Sequence, residues 1–104
     1  MNQQFTVFKN QRPNKDFPFL VAVQHPLLAS LPTRLVIPMT PLKKLAPSVA
    51  PRLNPVVEIA GVKYVLMTHL LGAVDASALQ VRAGDLSDRR SEIIAAIDVM
   101  LSGV

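Results

Sequence analysis

Two histidines are the side chains of this sequence best suited to acid–base or metal chemistry. His25 precedes a proline in a loop and His69 lies near the end of a predicted strand, so a surface or structural role is favoured for both. Two histidines without cysteine or a nearby carboxylate pair make a weak metal site. A turn and a helix cap explain Asp75, Asp85 and Asp88. The four glycines are isolated, so no phosphate-binding loop is predicted.

These residues predict no catalytic site, no metal site and no cofactor. They favour a protein that acts by binding over an enzyme. A metal-independent ribonuclease stays open as an alternative, because such an enzyme can work with scattered Arg, Asp, His or Thr side chains that no short motif reveals.

The charge of the chain favours a solvated surface and leaves an anionic partner as the alternative. Its net charge is +4, from eleven Lys and Arg against seven Asp and Glu. The basic residues are densest in two loop-like segments, residues 9–15 and 43–52. Such weak clustering is typical of a solvated surface, but it also suits nucleic acid or an acidic disordered peptide. No aromatic residues interleave with the charges, which argues against a stacking surface for single-stranded nucleic acid.

Length and hydropathy predict one domain covering residues 1–104. Half of the residues are hydrophobic, which argues against disorder over most of the chain. A membrane-spanning helix needs about 20 consecutive apolar residues, whereas the longest such run near the C-terminus covers residues 93–97. The N-terminus lacks a signal-peptide pattern and the chain has no cysteine. We therefore expect a cytoplasmic protein without a membrane partner.

Apolar runs separated by turn residues predict a mostly β chain. Strands are predicted over residues 5–8, 17–24 and 34–37, and Pro38 should stop the third of them. Residues 56–60 and 62–68 flank Gly61 and predict a β-hairpin. Residues 70–81 predict a further, irregular strand.

A C-terminal helix is predicted from about residue 88 to about residue 101. Ser87 is a suitable N-cap, and Gly103 follows the end, where a left-handed turn needs no side chain. At about 100° per residue the apolar side chains cover roughly 220° of the helix, whereas packing on one sheet needs little more than about 100°. The apolar arc consists of Ile93, Ile94, Ala96, Ile97, Val99, Met100 and Leu101.

The surplus apolar surface of this helix predicts a second copy of the chain. A C2 dimer is the commonest arrangement in which one patch covers itself. A helix sunk in a monomer core is the alternative, but a terminal helix in so small a domain is rarely covered on all sides. Leu27 and Leu28 also need cover, because two adjacent leucines in a connection expose apolar surface.

Five short segments and the terminal helix occur in an order and spacing that match a known family. They are FLVAVQ at residues 19–24, RLVIP at 34–38, PVVEIAG at 55–61, VLMT at 65–68 and DLS at 85–87. This co-linear set resembles the CcdB family, the toxins of type II toxin–antitoxin modules. The resemblance implies an α+β, mostly β fold: a twisted antiparallel sheet of the SH3-like-barrel type with a small second sheet and a C-terminal helix.

The resemblance also implies a homodimeric toxin that acts without catalysis. Such a dimer binds the DNA gyrase A subunit, traps the cleaved gyrase–DNA complex and is removed by the acidic, disordered tail of a cognate antitoxin. A role in plasmid maintenance and no direct contact with nucleic acid are expected. The implied target-binding residues are Leu27, Leu28, Asp98, Leu101, Ser102, Gly103 and Val104; the antitoxin-binding residues are Lys9, Arg12, Lys15, Lys43, Lys44 and Arg52; the dimer-interface residues are Ile97, Met100 and Val104.

Two positions depart from the family pattern, and the change at Ser102 is the serious one. Ser102 stands where the family has Trp, and Val104 stands where Ile is usual. An aromatic anchor at the centre of an interface can contribute about 2 kcal/mol or more, and serine buries almost no apolar area. The resemblance and this departure together predict a weakened or host-restricted gyrase poison, or one whose target surface differs. A non-toxic homologue that only binds antitoxin, and a sequence-specific ribonuclease of the same fold, are the alternatives.

Overall fold

Seven strands and one helix make up the part of the chain that the computed structural model describes, residues 3–12, 14–44 and 50–103. The fold class is therefore α+β and mostly β, as predicted. The helix α1 covers Arg90–Ser102. The strands are β1 (Thr6–Lys9), β2 (Phe19–Ala22), β3 (Thr33–Pro41), β4 (Val56–Ile59), β5 (Val62–Leu66), β6 (Gly72–Asp75) and β7 (Arg82–Asp85).

The strands form one antiparallel sheet in the order β4-β5-β3-β2-β1-β7. The long strand β3 lies at its centre. β2 pairs along one side of β3, whereas the other side is shared between β6, at the start of β3, and β5, at its end. β6 is thus a branch from the main path, and the sheet curls into a half-barrel.

β3 continues through Pro38, so the prediction that this proline stops the strand was wrong. Pro38 lies opposite Leu20 of β2, and its carbonyl accepts a hydrogen bond from the Met67 N–H on the other side of β3 (2.9 Å). The backbone nitrogen and the carbonyl of one strand residue point to the same side of the strand, toward the same neighbouring strand. The missing N–H of Pro38 therefore faces the gap between β6 and β5, and no bond to β2 is lost.

The hairpin of β4 and β5 is confirmed. Its two turn residues, Ala60 and Gly61, have φ angles of 51° and 80°. Two positive φ angles define the tight turn whose twist matches that of the flanking strands. Glycine adopts this conformation freely, whereas Ala60 is strained there and is held by the strands on both sides.

Residues 70–81 do not form the single irregular strand that was predicted. They contain β6 and a 3₁₀ turn at Ala76–Ala78, and β7 begins only at Arg82. β7 was not predicted, because its sequence RAGD has low strand propensity. Pairing with β1 imposes the strand. A Cβ at Gly84 of β7 would lie 3.1 Å from Ile59 Cδ1, so the small residue lets a side chain of β4 come close.

Both faces of the sheet are buried. Neighbouring residues of a strand point to opposite faces, and β1, β2 and β3 place apolar side chains on each. This explains the continuous apolar run of β2. The larger core consists of Phe5, Val7, Val21, Ile37, Met39, Val57, Ile59, Leu66, Leu86 and Ile93 of α1, and the smaller one of Phe8, Leu20, Ala22, Val36 and Leu79.

Asp85, rather than Ser87, organises the start of the helical segment. The Ser87 N–H donates to Asp85 Oδ1 (2.7 Å), and the Ser87 hydroxyl donates to the same oxygen. The first turn, Ser87–Arg89, is 3₁₀, and Arg89 precedes α1 without capping it by its side chain. The predicted N-cap at Ser87 was therefore wrong, because its hydroxyl bonds backwards to Asp85.

Arg89 fastens the start of α1 to the sheet. Its guanidinium binds both carboxylate oxygens of Glu92 (2.8 Å each) and donates from Nη2 to the Val56 carbonyl of β4 (2.9 Å). The hydrogen bond from Arg89 lowers the pKa of Glu92. At the other end Gly103 has a φ of 76°, and its N–H donates to the Val99 carbonyl (2.8 Å), which confirms the predicted end of the helix.

The carboxylate of Asp85 should contribute acid-sensitive stability. The hydrogen bonds from the Ser87 hydroxyl and amide lower the pKa of Asp85 below its value of about 3.9 in an unfolded chain. Its contribution is therefore fully present above about pH 4 and is lost as the pH falls through the lower, folded pKa. We expect Asp85→Asn to reduce the free energy of unfolding at pH 7 and to flatten its decline in acid, measured by urea denaturation at pH 7, 5 and 3.

The matched control for that measurement is Asp75→Asn. Asp75 is exposed and makes no capping bond with its side chain. Parallel stability curves for Asp85→Asn and the unmodified protein would contradict the role of Asp85.

Candidate partner-binding surfaces

Three leucines lie exposed on the connection between β2 and β3. We call residues 25–32 the leucine loop. Leu27 is 83% exposed, and Leu28 and Leu31 are each 46% exposed. A short 3₁₀ turn at Pro26–Leu28 carries the first two leucines, and Leu31 lies beyond it. The ring nitrogen Nδ1 of His25 accepts from the Leu27 N–H (3.0 Å). Exposed apolar side chains grouped on one loop are suited to contact with another protein.

Leu31 was missed by the sequence analysis. It follows Leu28 by three positions in the same segment, between Pro26 and Pro32. The repetition of leucine within a proline-bounded connection was the signal that could have found it.

The end of α1 presents the second group of predicted target-binding residues. Leu101 is 75% exposed, and Asp98, Ser102 and Gly103 are also exposed. The Ser102 hydroxyl donates to the Asp98 carbonyl one turn earlier (2.7 Å), so it is engaged within the helix. The predicted residue Val104 lies outside the described residues.

The apolar arc of α1 is only partly covered by its own sheet. Ile93 and Ala96 are fully buried. Ile94 and Ile97 are half-buried against the larger core. Met100, the neighbour of the exposed Leu101, is also half-buried. Of the predicted dimer residues, Ile97 thus already serves the core of its own chain, whereas part of Met100 is open.

Lys44, at the start of the second basic segment, contacts the first basic segment. Lys44 Nζ donates to the Lys15 carbonyl (3.0 Å) and to Asp16 Oδ1 (3.0 Å), which joins the β1–β2 loop to the segment after β3. The sequence analysis did not identify Asp16. Its carboxylate pairs with the ammonium group of Lys44, one of the predicted antitoxin-binding residues. All six of those basic side chains are exposed: Lys9, Arg12, Lys15, Lys43, Lys44 and Arg52.

The side chains considered for acid–base chemistry, His25, His69 and Asp85, lie in three different segments of the fold. His25 serves the leucine loop, and His69 is exposed in the 3₁₀ turn Thr68–Leu70. Asp85 holds Ser87, as described above. Over residues 3–12, 14–44 and 50–103, no three His, Asp or Glu side chains come together as a metal site.

The curled sheet, the terminal helix and the exposed side chains define a small α+β protein with two chemically different surfaces, one apolar and one basic. The family model described as CcdB protein matches residues 4–103, nearly the whole chain. The chain belongs to the CcdB family. Membership makes it a toxin of a toxin–antitoxin system. Within the described residues, no helix is long and apolar enough to cross a membrane.

Proposed function

We propose that this protein is a gyrase poison: a dimer that binds the DNA gyrase A subunit, traps the cleaved gyrase–DNA complex and is released by a cognate antitoxin. The family match over residues 4–103 carries this proposal. The exposure of Leu27, Leu28 and Leu101 supports it, because these side chains are open to a partner. No step of the mechanism is catalytic. The protein acts by stabilising one state of its target, the state with cleaved DNA.

Ser102 should make this poison weaker than a version with tryptophan. Its hydroxyl is turned back to the Asp98 carbonyl, and a serine has almost no apolar area for a partner to cover. The same observation favours a second candidate, a homologue that binds antitoxin but no longer arrests gyrase.

Ser102→Trp should increase gyrase poisoning. An aromatic anchor worth about 2 kcal/mol corresponds to roughly thirtyfold in affinity. We therefore expect half-maximal DNA cleavage at a concentration of the variant at least tenfold lower than that of the unmodified protein. The assay uses purified gyrase and plasmid DNA, and a reaction without either protein gives the background. The matched control is Ala95→Trp, which places the same side chain on an exposed position of α1 away from its end.

The other outcomes of this assay separate the candidate functions. Equal potency of the Ser102→Trp and Ala95→Trp variants would contradict the role of the helix end. If neither the protein nor Ser102→Trp traps cleaved DNA while an antitoxin peptide still binds, the antitoxin-only function is favoured. RNA cleavage without gyrase would identify a ribonuclease.

We infer that two copies share the open part of the apolar arc of α1. Light scattering at micromolar concentration should then give twice the chain mass of 11.3 kDa. Met100→Glu should give the single-chain mass, because it would place a charge in the shared surface. Ala95→Glu adds the same charge outside that surface and should remain dimeric. A single-chain mass for the unmodified protein would overturn the dimer.

We infer that the joined basic segments bind the acidic antitoxin tail. Opposite charges accelerate association and fix the register of a disordered chain. Arg12→Gln should weaken binding of an acidic antitoxin peptide severalfold at low ionic strength, and the difference should shrink as salt is raised. Arg90→Gln removes the same charge outside both segments and is the control in isothermal titration calorimetry. An equal loss in both variants would contradict a localised site.

A further inference from the structure

No apolar anchor holds the leucine loop in its observed conformation. Its helical turn contains no buried residue, and Leu31 beyond it is also exposed. Apolar side chains leave water where the chain allows it. An open pocket borders the loop and is lined in part by Ala22, Gln24, Ala29 and Arg34. Polar contacts must therefore keep the leucines outside.

Gln24, just beyond β2, supplies the first of these contacts. Its amide nitrogen Nε2 donates to the carbonyls of Leu28 and Thr33 (3.1 Å each). Its oxygen Oε1 accepts from the Leu35 N–H of β3 (3.1 Å). The side chain thus uses both ends of its amide to join the loop to a strand of the central sheet.

Arg34, on β3, supplies the second set. Its Nη2 donates to the Ala29 carbonyl (3.0 Å), and its Nη1 donates to the carbonyls of Leu31 and Thr33, the latter at 2.9 Å. The ion pairs among the described residues leave Arg34 without a carboxylate. Its charge is directed at the loop backbone instead.

The shape of the guanidinium suits this task. It is planar and presents its donors in a fixed fork, so one side chain can bind three carbonyls that lie in different directions. A lysine ammonium is a compact charge and would bind fewer of them. Since charged donors make stronger hydrogen bonds than neutral ones, Arg34 is the stronger of the two ties.

We propose that Gln24 and Arg34 are positioning residues that hold the leucine loop preformed, so that Leu27, Leu28 and Leu31 present one apolar contact surface to the partner. Neither residue needs to touch the partner. The benefit is entropic, because a loop that is ordered before binding loses less freedom on association. The identity of the partner rests on the gyrase function proposed above, whereas the ordering of the loop does not.

Hydrogen exchange of the free protein tests the ordering of the loop. The amides of Leu28, Ala29 and Leu31 donate to carbonyls within the loop, whereas the amide of Leu66 donates to Pro55 in the sheet. We expect Arg34→Gln to speed exchange of the three loop amides at least about tenfold and to leave Leu66 unchanged. Arg34→Lys keeps the charge, and its loop amides should still exchange faster than those of the unmodified protein. This variant also replaces Arg34→Gln in the experiment if Arg34→Gln does not fold.

Binding to the purified gyrase A subunit tests the positioning role. Arg34→Gln should raise the Kd about tenfold. In a variant with alanine at Leu27, Leu28 and Leu31, the added Arg34→Gln should raise the Kd no further. Lys63→Gln, which removes one positive charge from an exposed side chain of the β4–β5 hairpin, is the control and should change neither exchange nor Kd.

Each result has one reading. Unchanged loop exchange in Arg34→Gln, or Arg34→Lys that behaves like the unmodified protein, overturns the proposal that the guanidinium fork orders the loop. An additive loss in the alanine background overturns positioning and indicates direct contact by Arg34. If the unmodified protein binds no gyrase A subunit, the proposed function fails, and the exchange data alone decide whether the loop is held.

Discussion

The burial of one side of α1 against the curled sheet is the constraint on which the rest of this structure depends. Ile93 and Ala96 are fully covered, and Ile93 belongs to the same core as Val7, Val21 and Ile37 of the central strands. Once these positions are fixed, the direction in which every other residue of the helix points is fixed as well. Leu101 follows the half-buried Ile97 by one turn and is 75% exposed, so the covered part of the helix ends before it.

Three different interactions hold the helix in this position. At its start Arg89 joins Glu92 and the Val56 carbonyl, and it thereby connects the helix to the outer strand of the sheet. In the middle apolar packing dominates. At the end Gly103 closes the helix through a left-handed turn, and its N–H donates to the Val99 carbonyl. Each part of the helix thus serves a distinct purpose.

The two surfaces that we propose for partners differ in their physics. The leucine loop and the end of α1 offer apolar area, which contributes affinity when a partner covers it. The basic segments joined by Lys44, Lys15 and Asp16 offer charge, which acts at longer range and mainly affects encounter and register. Under the proposed function, the apolar surface would hold the folded target and the basic surface would attract the disordered antitoxin tail.

Much of the fold follows from patterns in the sequence alone. Apolar runs between turn residues located β1, β2 and the hairpin. The angular spread of apolar residues showed that α1 has more apolar surface than one sheet covers, and Gly103 marked the end of the helix. The co-linear segments gave the family, because members of a family share the order of their core elements. These are local or cumulative signals, which a linear sequence carries.

Other features were decided only by tertiary structure. β7 exists because β1 pairs with it, although RAGD has low strand propensity, and β3 passes through Pro38 because no strand requires its N–H. Ser87 does not cap the helix because its amide and hydroxyl both bond to Asp85, a contact that propensity does not describe. Gln24 and Arg34 gained their roles from carbonyls that folding brings to them. Sequence determined which segments are apolar and regular; the meeting of residues distant in the chain decided what each polar side chain binds.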